Sequence, residues 1–301
     1  MTKPRETTQE WLARRERSAM APIKLIVWVA LRLGRRAARL LLYPICLYFL
    51  IFSSSSRRAS RQYLAKVLGR RPLLWDSFRH YHAFAACALD RIFLLNDQTG
   101  IFDLRIEGEE FADELIARGE GCLLLGAHLG SFEVLRSLGA RKPGLRVVLV
   151  MYEENARKIN AALNAINARH DVEIIPLGRP DSMLKVEATL ERGDFVGMLA
   201  DRSLGDEGQV RASFLGQPAA FPLGPFQIAA MLRRPIVLMC ALYRGGRRYD
   251  VHFERLTDWS NASPDGRSHA AQQALAAYVK RLEHYCRAAP YNWFNFYDFW
   301  K

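Results

Sequence analysis

Short aliphatic runs alternate with amphipathic stretches from Ile101 onward, and this alternation limits the possible folds more than any other feature of the chain. Runs of four to seven residues, the length of buried strands, lie at 122–125, 146–150, 172–175, 195–199 and 236–242. Stretches with helical spacing lie at 131–140, 154–168, 181–192 and 224–233. We therefore predict an α/β fold with a largely parallel central sheet covered by helices on both faces. Residues 249–254 are expected to add an antiparallel strand, and 268–287 a terminal helix.

Residues 1–100 have helical spacing, and the four serines at 53–56 predict a break or a helix start. This front is also basic: residues 1–71 contain 16 basic and 3 acidic residues, whereas the rest of the chain contains 27 and 28. The net charge of +12 is therefore concentrated at the front. We divide the chain into a basic, helical, membrane-associating region at 1–100 and an α/β domain at 101–301.

The basic residues are interleaved with apolar runs at 25–31 and 40–52, a mixture that favours a membrane surface. No zinc-finger, homeodomain or RNP pattern accompanies the charge, so nucleic acid is not expected as a partner. On a continuous helix, one face suited to anionic head groups carries Arg32, Arg35, Arg36 and Arg39. The uninterrupted run at 40–52 has 13 residues, fewer than the roughly 18 that span a bilayer, so we expect it to lie on the membrane. A tilted span and an ordinary surface helix remain alternatives.

The strongest chemical signal is His128, which follows the run at 122–125 and precedes a helical stretch. Gly130 can adopt unusual backbone angles, Ser131 can cap the helix, and Glu133 then lies in the first turn, where the chain can bring it back to the imidazole. A histidine held by a carboxylate can remove a proton from an attacking hydroxyl, which is general-base catalysis. A structural histidine at a helix start is the alternative.

This motif, the α/β body and the basic apolar front together resemble the lysophospholipid acyltransferase superfamily, and in particular its bacterial lipid A late acyltransferases. The family signature His-x-x-x-x-Asp/Glu is matched by His128 and Glu133, and its members act without a covalent acyl-enzyme. The resemblance extends from about Trp11 to Trp300. It implies a membrane-associated O-acyltransferase on the cytoplasmic face of the inner membrane, with an acyl-ACP or acyl-CoA donor and a lipid acceptor.

Weaker similarities lie at 193–202, which resembles the family strand that ends in an Asp, and at 214–216 and 221–224, which resemble its acyl and phosphate region. Residues 221–224 lack the acid and the Thr-Arg of the glycerolipid acyltransferases, which argues against a glycerol phosphate acceptor. The Arg that usually follows the Pro and Trp near the end of the lipid A enzymes is absent after Trp293. A different acceptor, such as an aminolipid or a glycolipid, and a specialised polyketide-like acyl chain are therefore alternatives.

Substrate contacts are expected from loops that follow predicted strands. Arg179 and Arg202 are candidates for the phosphate of the thioester carrier, with solvated surface arginines as the alternative, and Asp201 is expected to pair with one of them. Backbone N–H groups near Gly130 and Ser131 are expected to stabilise the oxyanion. The aromatic tail at 291–300 is expected to pack on the core, with an acyl groove as the alternative.

Several other chemistries lack their sequence motifs. The chain has no G-x-S-x-G elbow, P-loop, G-x-G-x-x-G turn or H-E-x-x-H helix. Its five scattered cysteines form no C-x-x-C, so neither a disulfide framework nor a zinc site is indicated, and a reducing location fits. We expect no metal and no cofactor. A catalytically silent, membrane-associated lipid-binding protein is the alternative outside enzymes.

Overall fold

The computed structural model describes residues 8–152, 173–202, 208–257, 259 and 266–300. Three helices come first, α1 (Thr8–Phe52), α2 (Ser54–Leu68) and α3 (Leu74–Leu94). The break expected at the serines is confirmed, because α1 and α2 meet at Ser53 with a bend of 96°. By length and composition, no single described helix qualifies as a membrane span, although residues 27–52 and 54–68 pass that test as a bent pair.

The prediction that four arginines share one face of α1 is wrong in part, because Gly34 interrupts the helix with a φ of +79°. This interruption separates Arg32 from the three arginines that follow it. Arg35 is also withdrawn from the surface, since its guanidinium donates hydrogen bonds of 2.7 and 2.8 Å to the fully buried carboxylate of Asp90. Arg36 is exposed and Arg39 is half-buried.

The central sheet has seven strands in the order β1-β9-β8-β2-β5-β3-β4. Nine strands occur in the described chain: β1 (Asp103–Glu107), β2 (Leu123–Gly126), β3 (Val147–Tyr152), β4 (Ile174–Leu177), β5 (Phe195–Leu199), β6 (Gln209–Phe214), β7 (Gln217–Pro222), β8 (Ile236–Gly245) and β9 (Arg248–Thr257). Strands β8, β2, β5, β3 and β4 are parallel, β9 is antiparallel to β8, and β6 and β7 form a separate hairpin. The predicted parallel sheet and its antiparallel strand are confirmed.

Helices cover both faces of the sheet, as the aliphatic runs predicted. The remaining helices are α4 (Glu109–Arg118), α5 (Phe132–Arg141), α6 (Ser182–Glu191), α7 (Gly224–Leu232) and α8 (Arg267–Ala288). Alternate strand residues enter two separate cores, one beneath α2, α6, α7 and α8 and the other beneath α1, α3, α4 and α5. The helix expected at 154–168 lies outside the described residues.

The register of β2 and β5 determines which residues meet beyond their carboxyl ends. Gly126 pairs with Leu199, so His128 and Asp201 both lie two residues past a matched pair. Neighbouring strands are about 4.8 Å apart, which brings the two side chains within reach of each other. In parallel sheets this edge is the usual place for a ligand.

Candidate active site

The catalytic candidate lies in a tight turn between β2 and α5 that only a glycine can complete. Gly130 has a φ of +70°, and a Cβ at this position would lie 1.9 Å from the carbonyl oxygen of Ala241. The backbone of the turn is held on both sides. The N–H of Gly130 donates to the carbonyl of Asn292 at 2.9 Å, and the N–H of Phe294 donates to the carbonyl of His128 at 2.7 Å.

His128 is held by Asp201 through two hydrogen bonds. Its Nδ1 lies 2.9 Å from Oδ1 of Asp201, and its backbone N–H donates to Oδ2 at 3.1 Å. Asp201 is completely buried, whereas 36% of the His128 side chain is exposed. Since a carboxylate only accepts hydrogen bonds, the neutral imidazole carries its proton on Nδ1. The exposed side of the ring therefore presents the free lone pair of Nε2.

Asp201 stays ionised in this environment. Burial alone would raise its pKa, but the electrostatic attraction and hydrogen bond of the His128 ring, the charge of Arg202 and the indole N–H of Trp293 together lower it to about 2. The Trp293 indole donates to Oδ2 at 3.0 Å. A permanent buried negative charge next to the imidazole stabilises the imidazolium that forms when His128 takes a proton.

Two expectations about this turn need correction. Glu133 does not orient His128: its carboxylate lies 2.7 Å from Nε of Arg136 and 3.4 Å from Nε of Arg91, and within the described chain no hydrogen bond joins it to the imidazole. Its position in the first turn of α5 directs it toward α3. The N–H groups expected to form an oxyanion hole are also occupied, because that of Gly130 binds Asn292 and that of Ser131 binds the carbonyl of Ala241 at 2.8 Å.

The two loop arginines lie in different places. Arg202 is beside the site: its Nη2 donates to the carbonyl of Phe294 at 2.7 Å, its Nε lies 4.0 Å from Asp201, and its guanidinium lies 5.1 Å from the ring centre of Tyr297. Arg179 is exposed after β4, three strands from β2, so the structure does not bring it together with His128. Asp201 thus contacts Arg202, but its main partner is His128.

Sequence reasoning missed the role of Trp293. Its side chain is fully buried, as expected for a tail packed on the core, and it forms edge contacts with Tyr63, Phe214 and Phe299. The same side chain supplies the N–H that binds Asp201. A buried indole N–H needs a hydrogen-bond partner. This requirement could have indicated from the sequence that Trp293 binds a polar group.

Metal ligands are not gathered at this site or elsewhere in the described residues, where no group of three His, Cys, Asp or Glu side chains could hold an ion. All five cysteines are free and buried.

The family profile described as bacterial lipid A biosynthesis acyltransferase matches residues 7–301. The chain belongs to this family. As a member, this acyltransferase transfers an acyl group from a donor to a lipid acceptor. A search of curated proteins found no match to it.

Proposed function

We propose that this acyltransferase moves an acyl chain from a thioester to a lipid hydroxyl, with His128 as the general base and Asp201 as the residue that positions it. The observation that carries the proposal is the contact of 2.9 Å between a fully buried carboxylate and a partly exposed imidazole at the carboxyl end of the central strand. An arrangement of this type supplies roughly 10²- to 10⁴-fold in rate through proton transfer alone.

In the proposed reaction, Nε2 of His128 takes the proton of the acceptor hydroxyl as its oxygen attacks the thioester carbonyl. A C–O bond forms and the carbonyl becomes a tetrahedral oxyanion. The oxyanion collapses, the C–S bond breaks, and the departing sulfur takes the proton from the His128 imidazolium. The products are an ester and a thiol, and Asp201 remains ionised throughout.

The oxyanion requires donors other than the occupied N–H groups of Gly130 and Ser131. We assign this role to the first-turn N–H groups of α5, which have no side-chain cap and follow the catalytic turn directly. Ser131 and Gly130 then act by shaping that turn. Glu133 is buried in the same turn between two arginines, and we assign it the role of fixing the start of α5.

A cavity of about 180 Å³ extends along α5 against the sheet; its lining is mainly apolar, with four charged residues also present, and it is suited to an alkyl chain. Phe132, the first residue of α5, lines it together with Leu124, Leu135, Phe195 and Met239. We propose that it receives the acyl chain of the donor. Arg202, beside His128, and the more distant Arg179 are the proposed contacts of the carrier phosphate.

The deciding experiment is mass spectrometry of the membrane lipids from cells with the gene deleted, restored, and restored as His128→Ala. We expect a lipid heavier by one acyl chain to disappear on deletion and to stay absent with His128→Ala. The identity of this lipid shows whether the acceptor is a lipid A precursor, an aminolipid or a glycolipid. Full restoration by His128→Ala would contradict the catalytic proposal and favour a silent lipid-binding protein.

The two possible donors are distinguished in vitro by supplying the purified enzyme with the same acyl group either on acyl carrier protein or on coenzyme A. Arg179→Gln and Arg202→Gln should raise KM for the donor, since each removes a charged phosphate contact. The exposed Arg105 of β1 provides a matched control. An unchanged KM in both variants would rule out these contacts.

A further inference from the structure

A second cavity of about 410 Å³ lies between the N-terminal helices and the end of the β8–β9 hairpin. We call it the arginine cavity, because three guanidinium groups line it, those of Arg39, Arg79 and Arg244. Its size is within the range of small-molecule sites. It lies at the carboxyl end of β8, the strand next to β2. Asn292 lies between the cavity and the β2–α5 turn, because it lines the cavity and its carbonyl accepts the N–H of Gly130.

The arginine cavity has unused capacity to bind an anion. Arg79 donates a long hydrogen bond of 3.3 Å to the Tyr291 hydroxyl, and Arg39 donates one of 3.4 Å to the carbonyl of Gly246. Within the described residues, no carboxylate lies within ion-pair distance of either guanidinium. Arg79 also lies over the Tyr291 ring at 4.2 Å and Arg39 over the Tyr243 ring at 5.9 Å, but each guanidinium has five N–H donors, so several remain for an anion. Arg244 differs, since Asp250 and the carbonyl of Ala288 hold it at 2.7 and 2.8 Å.

The ring of His82 lines the same cavity. Nε2 of His82 is inaccessible to solvent and forms no hydrogen bond. Its ring contacts Tyr43, with 5.2 Å between the ring centres. The His82 ring thus adds to the cavity wall without offering this nitrogen to a ligand.

Aromatic side chains line the same cavity and continue onto exposed apolar surface. Trp75 stacks on Phe78 with 5.0 Å between ring centres, and Phe78 lies 6.2 Å from Tyr43. Trp75 and Tyr43 are 61% and 51% exposed, and Leu74 beside them is 60% exposed. The cavity therefore combines cationic side chains with aromatic ones that reach the surface, which matches an amphiphile with an anionic head.

We propose that the arginine cavity binds the head group of an anionic phospholipid. The phosphate contacts Arg39 and Arg79, and the glycerol and acyl portions lie against Trp75 and Tyr43. This site is separate from the acyl-transfer centre and does not depend on its chemistry. It would seat a bilayer lipid one strand away from His128.

The test is calorimetric titration of full-length His128→Ala protein, so that no turnover interferes. The probe is dihexanoyl phosphatidic acid below its micelle concentration, compared with inorganic phosphate and dihexanoyl phosphatidylcholine. We expect the phosphatidic acid to bind saturably and more tightly than either comparison ligand. Arg39→Gln and Arg79→Gln should each weaken it about tenfold, because each removes a charge-assisted contact.

Arg105→Gln on the outer strand β1 makes the same charge change elsewhere and should leave the affinity unchanged. Arg79 is exposed, so its variant should keep the fold, which a thermal unfolding scan verifies. Equal binding by wild-type and both cavity variants would overturn the proposal. Equal affinity for inorganic phosphate would instead show a free-phosphate site, and equal affinity for phosphatidylcholine would exclude recognition of net charge; both overturn it.

Discussion

A chain of hydrogen bonds leads from His128 into the N-terminal helices, and each link fixes the next. Asp201 binds His128, the indole of Trp293 binds Asp201, and the backbone carbonyl of Trp293 accepts from Nε2 of His80 at 2.8 Å. Nδ1 of His80 must then accept the hydroxyl proton of Ser60, 2.9 Å away. The position of the proposed base thus depends on residues from α2, α3 and the aromatic tail.

Asp201→Asn should lower kcat by about 10³- to 10⁴-fold, because an amide favours the wrong imidazole tautomer and cannot stabilise the imidazolium. Glu133→Gln should lower kcat by a smaller factor, since the contacts of Glu133 are with Arg91 and Arg136. Steady-state kinetics of the two variants measure the difference. A loss for Glu133→Gln equal to or greater than that for Asp201→Asn would contradict Asp201 as the positioning residue.

His80 makes stability depend on pH. Burial lowers its pKa from 6.5 to about 4, against the opposing effect of the Trp293 carbonyl. Between these values the unfolded chain binds the proton and the native protein does not, so the free energy of unfolding should fall as the pH falls. The full loss is about 3 kcal/mol and is complete below pH 4.

Denaturant unfolding at pH 7 and 4.5 measures this loss. His80→Asn should be less stable at pH 7 but should lose less on acidification. His269→Asn, which changes an exposed histidine, should behave as wild type. Parallel losses in wild type and His80→Asn would exclude His80 as the source.

Among the elements, the β2–α5 turn tolerates little change at Gly130. Gly130→Ala should abolish activity and lower stability, since its Cβ would meet the Ala241 carbonyl at 1.9 Å and its φ would be strained. Gly139→Ala, within the helix α5 that follows the turn, is the matched control. Its Cβ would meet Val147 and Leu145 at 3.5 and 3.7 Å, so it should raise the free energy of unfolding by about 0.5–1 kcal/mol. Denaturant unfolding and initial rates check both, and an active Gly130→Ala would show that the turn adapts.

The elements that could be predicted from sequence are those with a strong apolar pattern. The parallel strands and the serine break follow from local residue patterns. β1 was not predicted, because its side chains alternate between exposed and half-buried at the sheet edge, and α4 was not predicted either. The β6–β7 hairpin lies outside the main sheet and has no aliphatic run.

The turn that holds His128 could also be predicted from a local residue pattern. The carboxylate that binds His128 could not. Sequence reasoning chose Glu133 because it is near in the chain, whereas the parallel register places Asp201 beside His128 across 73 residues. Recognising that two strands are neighbours requires the strand order, which no local pattern contains. Trp293 reaches the site by a longer path still, through an isolated bridge to Leu129.

On the scale of the whole molecule, most of the large apolar side chains that are exposed in the described chain belong to α1 and the start of α3. Large exposed side chains cluster on α1 after Gly34 and at the start of α3, and six of them are Leu40, Leu47, Phe49, Phe52, Leu74 and Trp75. A patch of this kind marks a contact surface. We propose that it rests on the cytoplasmic face of the inner membrane, with the exposed Arg32 and Arg36 near anionic head groups.

Phe49→Glu combined with Phe52→Glu should lower the affinity for phosphatidylglycerol vesicles by more than about a hundredfold, because each buried phenyl ring contributes roughly 1.5–3 kcal/mol. Co-sedimentation measures the bound fraction. Leu184→Glu on α6 is the control, since Leu184 is 67% exposed but belongs to the α/β body. Equal binding by the double variant and wild type would place the membrane contact elsewhere.

The position of Trp293 also has a consequence for the order of events during synthesis. Asp201 emerges 92 residues earlier, which corresponds to about 5–20 s of translation. Until Trp293 has been made, the buried carboxylate lacks its indole partner and the catalytic turn lacks the backbone of residues 292–294. The apolar surface of α1 is made long before that moment. A nascent chain therefore has the apolar surface of α1 before Asp201 and Trp293 can meet, so the arrangement around His128 closes only after that surface has been made.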